Sequence, residues 1–133
     1  MMPITHEWIN KAEGDFAMME REGRARKQPN YDGICFHAQQ CAEKYLKARL
    51  SESAIEFRNT HDLPALLDLI VPQEPMWEVF RRDLAYLSDF AVVFRYPGES
   101  ATRDQAKDAI RRCRAFRKHI RQALKIPRHE QRA

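Results

Sequence analysis

Long apolar runs, strand-like alternation and paired cysteines are all missing from this 133-residue chain. No apolar stretch approaches the roughly 20 residues a membrane-spanning helix needs, and the first residues lack the basic-then-apolar layout of a signal peptide. A soluble, cytoplasmic protein without membrane contact is therefore expected. No segment alternates apolar and polar residues over strand length between turn signals, and no internal repeat occurs, which leaves helices as the building material. Cysteine appears three times and never as C-x-x-C. Cys35 and Cys41 fall on one predicted helix about 9 Å apart in rise and on different sides, too far to bridge. Together with Cys113 they read as small buried apolar residues. No convincing set of metal ligands is read among the His and carboxylate positions beyond His37 alone, so neither a metal nor another cofactor is expected.

What is present is helical periodicity. The length suits one domain that buries about two thirds of its unfolded surface. A first helix is predicted from a Thr5 cap to about Glu22, with Trp8, Ala12, Phe16 and Met19 facing the core. A basic loop with Pro29 follows, and Asn30 can cap a second helix from about Tyr31 to Ser53. On that helix Ile34, Cys35, Ala38, Cys41, Ala42, Tyr45, Leu46 and Ala48 fill an arc of about 160°, wider than an ordinary amphipathic stripe. Its other side carries His37, Gln40, Glu43, Lys44 and Lys47, yet Phe36 and Leu50 sit among them, so something must cover that side too. Thr60 or Asp62 caps a short third helix that buries Leu63, Leu66, Leu67 and Ile70, with Pro64 tolerated in its first turn.

A fourth helix is predicted from about Met76 to Phe94, carrying two apolar stripes over an arc near 180°. One face inside a domain this small cannot use all of that, and a second copy of the chain would. Pro97 and Gly98 break the chain, and Ser100 or Thr102 caps a fifth helix running to about Ile126. Its inner face is read as Ala106, Ala109, Ile110, Cys113, Phe116, Ile120, Ala123 and Leu124. The expected fold is all-α: an up-and-down antiparallel bundle of four long helices with one short inserted helix over residues 5–126, followed by a polar C-terminal tail at 127–133.

The net charge of +4 is unevenly placed. Residues 103–133 hold 11 Lys and Arg against 3 Asp and Glu, leaving 12 against 16 in residues 1–102. The C-terminal helix is thus electropositive, either as a solvated basic face or as an attractor of phosphate.

The order of three segments resembles a known family: F-H-A-Q-Q-C-A-E-K-Y-L-K-A at 36–48, Thr60-His61-Asp62-Leu63, and Arg95-Tyr96-Pro97, with Trp8 and Asp15-Phe16 ahead of them. Over roughly residues 5–125 the chain resembles a HEPN domain (higher eukaryotes and prokaryotes nucleotide-binding). That resemblance implies a helical bundle that dimerises through its long helices and acts beside a minimal nucleotidyltransferase as a toxin and antitoxin pair or stress module. Ribonuclease members use an Arg followed after four to six residues by a His, at the dimer interface and without metal. Here no histidine follows Arg95 or Arg103 at that spacing; Arg114 and His119 have it, but on one helix they project about 140° apart.

Each candidate residue has two readings. Arg95 with Tyr96 binds phosphate and a base or ribose, or Arg95 caps the preceding helix. His61 beside Asp62 is an acid–base group, or part of a capping segment. His37, Gln40, Lys44 and Lys47 hold a nucleotide, or Glu43 and Lys47 form an i, i+4 pair, the glutamines satisfy buried groups and Lys44 lies in solvent. Phe36, Val79, Tyr86, Phe90 and Val93 are read as the dimer interface. The leading expectation is a homodimer that binds a nucleotide or RNA. The alternatives are a metal-independent endoribonuclease with a non-standard site among Arg95, His61, Arg114 and His119, and a ligand-free scaffold partner.

Overall fold

The computed structural model describes residues 1–126, so the tail expected at 127–133 lies outside the described residues. Those residues form only helices and connections: α1 (Pro3–Gly23), α2 (Tyr31–Glu52), α3 (Leu63–Ile70), a 3₁₀ turn (Pro75–Phe80), α4 (Arg81–Ser88), a second 3₁₀ turn (Asp89–Ala91) and α5 (Arg103–Ala123). The all-α bundle expected from the periodicity is the observed fold, and α2 packs against α1, α3, α4 and α5.

Local chemistry sets most boundaries. Asn30 caps α2 by accepting from the Gly33 amide at 2.8 Å, and a Cβ on Gly33 would come within 2.9 Å of the Asn30 side chain. Asp62 caps α3 through the Ala65 amide. Thr102 and Gln105 form a reciprocal capping box at the start of α5, satisfying two amides that no helical carbonyl reaches. The Thr5 cap is not used: Pro3 opens α1. Thr5 is buried instead, and its hydroxyl donates to Glu52 at the far end of α2, 2.9 Å away.

The broad arc of α2 is buried as expected, from Ile34 and Cys35 to Leu46 and Ala48. Leu50, placed by its angle among polar groups, is also fully enclosed, because α1 and the α2–α3 connection cover part of that side. All three cysteines are buried free thiols; burial pushes Cys35 up to about 12 and Cys41 well above its ordinary value. The four predicted residues of α3 are at most 1 % exposed, each contributing about 1.5–3 kcal/mol by leaving water.

The fourth segment differs from one long helix. Residues 75–91 change winding twice, with α4 only eight residues long. The apolar positions follow no single 3.6-residue period, and turns of three residues re-aim them. Trp77 is thereby buried against Phe116 while Val79 stays 70 % exposed. Phe90 and Ala91 are both buried, with Phe94 stacked on Phe90. On α5, Ala123 is exposed and Ile110 half-buried, whereas Arg117 and Arg121 are buried.

Candidate functional site

The polar side of α2 is occupied by α1 and by His61. Asp15 of α1 is buried and divides its carboxylate between His37 Nδ1 at 2.8 Å and Lys44 Nζ at 2.5 Å. A carboxylate only accepts, so Nδ1 carries a hydrogen, and in the neutral ring that tautomer leaves the lone pair on Nε2. Lys44 is therefore paired rather than in solvent. One turn along, Glu43 Oε1 accepts from Gln39 Nε2 at 2.9 Å and from His61 Nδ1 at 2.8 Å, and Oε2 accepts from Lys47 at 3.0 Å. Lys47 is buried, and its ammonium lies 5.5 Å from the centre of the Trp8 ring and 5.9 Å from that of Phe57. Gln40 donates to Gln39. Burial favours the neutral form of Glu43, but hydrogen bonds from Gln39, His61 and Lys47 outweigh it and hold the carboxyl below its ordinary value. The Glu43–Lys47 pair is thus a structural ion pair, and reaching a ligand would require Lys47 to abandon Glu43 and two aromatic rings. His61 shares in this network while Asp62 does the capping.

Arg95 stands apart from that network. The chain leaves the second 3₁₀ turn at Ala91, and Arg95 is exposed, its guanidinium 5.5 Å from the centre of the Phe36 ring. It makes no ion pair among the described residues. Since α4 ends at Ser88, Arg95 is beyond the helical turn whose carbonyls it was expected to cap. It borders a cleft of about 370 Å³ with Asn30, Asp32 and Gly33, the first turn of α2, and with Phe36, Phe90 and Phe94. A helix N-terminus favours an anion, a guanidinium binds phosphate bidentately, and an aromatic floor accepts a base or ribose. Tyr96, 69 % exposed, follows directly. Phe36 also meets His37 edge-on, ring centres 5.5 Å apart, so Arg95, Phe36, His37 and Asp15 form one continuous row.

The Arg114–His119 spacing does not produce a pair. Arg114 turns to α1 and holds Glu20 through Nε at 2.5 Å and Nη2 at 2.7 Å. His119 lies between Trp77 and Phe80, at 5.4 and 4.9 Å between ring centres. Of the predicted interface residues, Val79 is exposed, Phe36, Tyr86 and Val93 are half-buried, and Phe90 is buried within this chain. Tyr86 donates to the Gln105 carbonyl and carries Arg112 on its ring.

Sequence reasoning missed Glu13. Its carboxylate accepts two hydrogen bonds from Arg117, at 2.6 and 2.7 Å, and one from the Tyr45 hydroxyl. Arg121 in turn donates to Tyr45 at 2.8 Å and lies 3.5 Å from Glu13. No local signal marks this cluster, because its members come from α1, α2 and α5. Asp15 likewise looks like any helix-surface acid until α2 is laid beside it. Among the described residues no group of three or more His, Cys, Asp or Glu could hold a metal ion, and no helix is long and apolar enough to cross a membrane.

No curated protein and no solved structure matches the chain. The family model of the HEPN domain matches residues 5–123, a span containing α2, the capped start of α3, the Arg95 corner and all of α5. With nearly the whole bundle inside that match, the chain belongs to the HEPN domain family, a family of nucleotide- and RNA-binding domains.

Proposed function

We propose that this domain is a homodimer that binds a nucleotide or the phosphate backbone of RNA at the Arg95 corner, in the cytoplasm, beside a minimal nucleotidyltransferase in a toxin–antitoxin or stress module. The observation that carries the binding reading is the Arg95 guanidinium. It is exposed over Phe36 at the mouth of a cleft against the first turn of α2 and makes no ion pair among the described residues, the cleft's own carboxylate, Asp32, accepting from the Ala101 amide instead. His37 lies one ring away, and Tyr96 is free to stack. Lys44, Lys47 and Gln40 support the site from behind by fixing the helix that carries Phe36 and His37. The dimer reading draws on Met76, Val79 and Val92, which are 74, 70 and 54 % exposed on the non-α-helical stretches flanking α4.

Replacing Arg95 by alanine should weaken RNA binding at low salt about tenfold or more, the value of one or two charge-assisted hydrogen bonds. Fluorescence anisotropy with labelled RNA reads this directly. Unchanged affinity in a folded Arg95→Ala protein would remove the corner as the site. Sedimentation of the same sample checks the dimer, and a monomeric mass with full RNA binding would overturn it. Reading the adjacent gene for a minimal nucleotidyltransferase and co-expressing its product checks the partner, and absence of such a gene or failure to co-purify would remove it.

A second reading, metal-independent RNA cleavage, is favoured by the 2.8 Å contact that fixes the His37 ring against Asp15. Nε2 would take the 2′-hydroxyl proton as that oxygen attacks phosphorus, the P–O5′ bond breaks to leave a 2′,3′-cyclic phosphate, and water protonates the departing 5′ oxygen, with Arg95 meeting the charge on the phosphate. In the same samples, RNA left intact in chelator by the wild-type protein excludes it.

A further inference from the structure

A larger cleft lies elsewhere, between α1 and α5, with a volume of about 950 Å³. That is near the upper end of the roughly 300–1,000 Å³ typical of small-molecule sites. Six Arg and Lys side chains line it against two carboxylates, Glu13 and Glu20, a surplus of four positive charges. Both carboxylates are already held: Glu13 by both arms of Arg117, and Glu20 by both arms of Arg114. Arg121 donates to Tyr45 and lies 3.5 Å from Glu13, so three further cations are left to consider. Arg21 touches the Met18 sulfur at 3.7 Å, Arg24 reaches Glu20 only at 3.8 Å with its side chain 71 % exposed, and Lys118 is exposed with no ion pair among the described residues.

Like charges gathered in a concave surface repel one another, and the low-dielectric walls of a cleft strengthen the field they share. An anion brought there is attracted by all of them at once. Arg21, in the last turn of α1, and Arg24, its C-cap residue, are three apart, and Arg114 and Lys118 are four apart on α5, so each pair spans only about 4.5–6 Å along its helix axis. A nucleic-acid strand carries one phosphate per nucleotide, and a patch this short meets very little of one. A condensed phosphate chain delivers all its charge within that length.

We propose that the α1–α5 cleft is a second anion site, distinct from the Arg95 corner, that binds a short chain of linked phosphoryl groups through Arg21, Arg24, Lys118 and the outer edge of Arg114. Glu20 acts as its internal competitor, occupying Arg114 while the cleft is empty. This assignment stands on residues that the Arg95 reading does not use.

Calorimetric titration of the full chain at low salt with inorganic triphosphate, with a nucleoside triphosphate and with a short single-stranded RNA tests it. The wild-type protein should bind inorganic triphosphate. Arg24→Glu combined with Lys118→Glu should weaken that binding at least tenfold. Both positions are exposed, and an unchanged melting temperature certifies the fold. Glu20→Gln should tighten binding severalfold by releasing Arg114, an effect that a merely structural ion pair would not produce. Arg95→Ala should leave triphosphate binding unchanged, so failure here and failure at the Arg95 corner are distinguishable. A nucleoside triphosphate that binds like the inorganic chain shows recognition of phosphate alone, and one that binds more tightly shows that the cleft also takes the nucleoside; both support the site. No triphosphate binding, binding indifferent to the double charge reversal, or binding of RNA only would overturn it.

Discussion

Replacing Glu13 by alanine is expected to destabilise the fold by about 3–5 kcal/mol, the range for removing one member of a buried ion cluster. The side chains of Glu13, Arg117 and Arg121 are 11, 9 and 2 % exposed. Glu13 is the acceptor for Arg117 and for the Tyr45 hydroxyl, and Tyr45 accepts from Arg121. Without that carboxylate the Arg117 guanidinium, enclosed between α1, α2 and α5, loses both of the charge-assisted hydrogen bonds that offset its lost hydration. Thermal unfolding should register the change as a fall of about 10–20 °C for a domain of this size. A double variant with Arg117→Met as well should recover part of the loss, since an apolar replacement removes a desolvated charge together with its partner. A fall of under about 1 kcal/mol for Glu13→Ala would mean that water reaches the guanidinium groups, and the cluster would then be a surface feature.

Glu43→Ala should cost a comparable amount, about 3–4 kcal/mol, because it strands the Lys47 ammonium, whose side chain is 3 % exposed. The Trp8 and Phe57 rings alone would then face it, and cation–π contacts are worth about 2 kcal/mol when desolvated. Lys47→Met should cost less, since the stem is replaced by an apolar chain and Glu43 keeps Gln39 and His61. Denaturant titration of the two variants gives the order, and the reverse order would show that the carboxylate, not the ammonium, is the strained member.

The pH dependence of Glu43 follows from its lowered carboxyl pKa. In the unfolded chain the group titrates near its ordinary value of 4.5, and in the fold it titrates below that. Its contribution is therefore complete above the unfolded value and is lost as the pH falls through the folded one. Stability measured downward from about pH 5 should fall less steeply in Glu43→Gln than in the wild-type protein. Some slope should remain, because Arg114 holds the Glu20 carboxyl low with the same sign. Identical slopes would show that the Glu43 interactions do not survive in solution.

Much of the bundle was legible in residue order. The arc from Ile34 to Ala48, the α3 face and the caps at Asn30, Asp62 and Thr102 follow from helical period and from side chains that satisfy nearby amides. Thr5 failed as a cap because Pro3 already supplied a start and Glu52, distant in sequence, supplied a better partner. The segment from about Met76 to Phe94 reads as one helix whose two apolar stripes suggest a second molecule, but its winding changes twice between 75 and 91. The fold reconciles much of them within one chain by tightening the winding. At the candidate site Arg95, Tyr96, Phe36 and His37 were all visible as residue types beside turn signals.

Sequence alone determined the fold class, the central place of α2 and the family, because each depends on periodic burial and on motifs whose parts lie close in the chain. Tertiary structure decided which charges are spent and which are left. Lys47 and Arg114 read alike as basic residues on helices, yet one is enclosed by Glu43 and aromatic rings while the other lines an open cleft. Arg95 differs from both only because its guanidinium lies over Phe36 with no carboxylate paired to it among the described residues. The energy of a charge is set by groups a few ångströms away, and in a helical bundle most of those groups arrive from other helices.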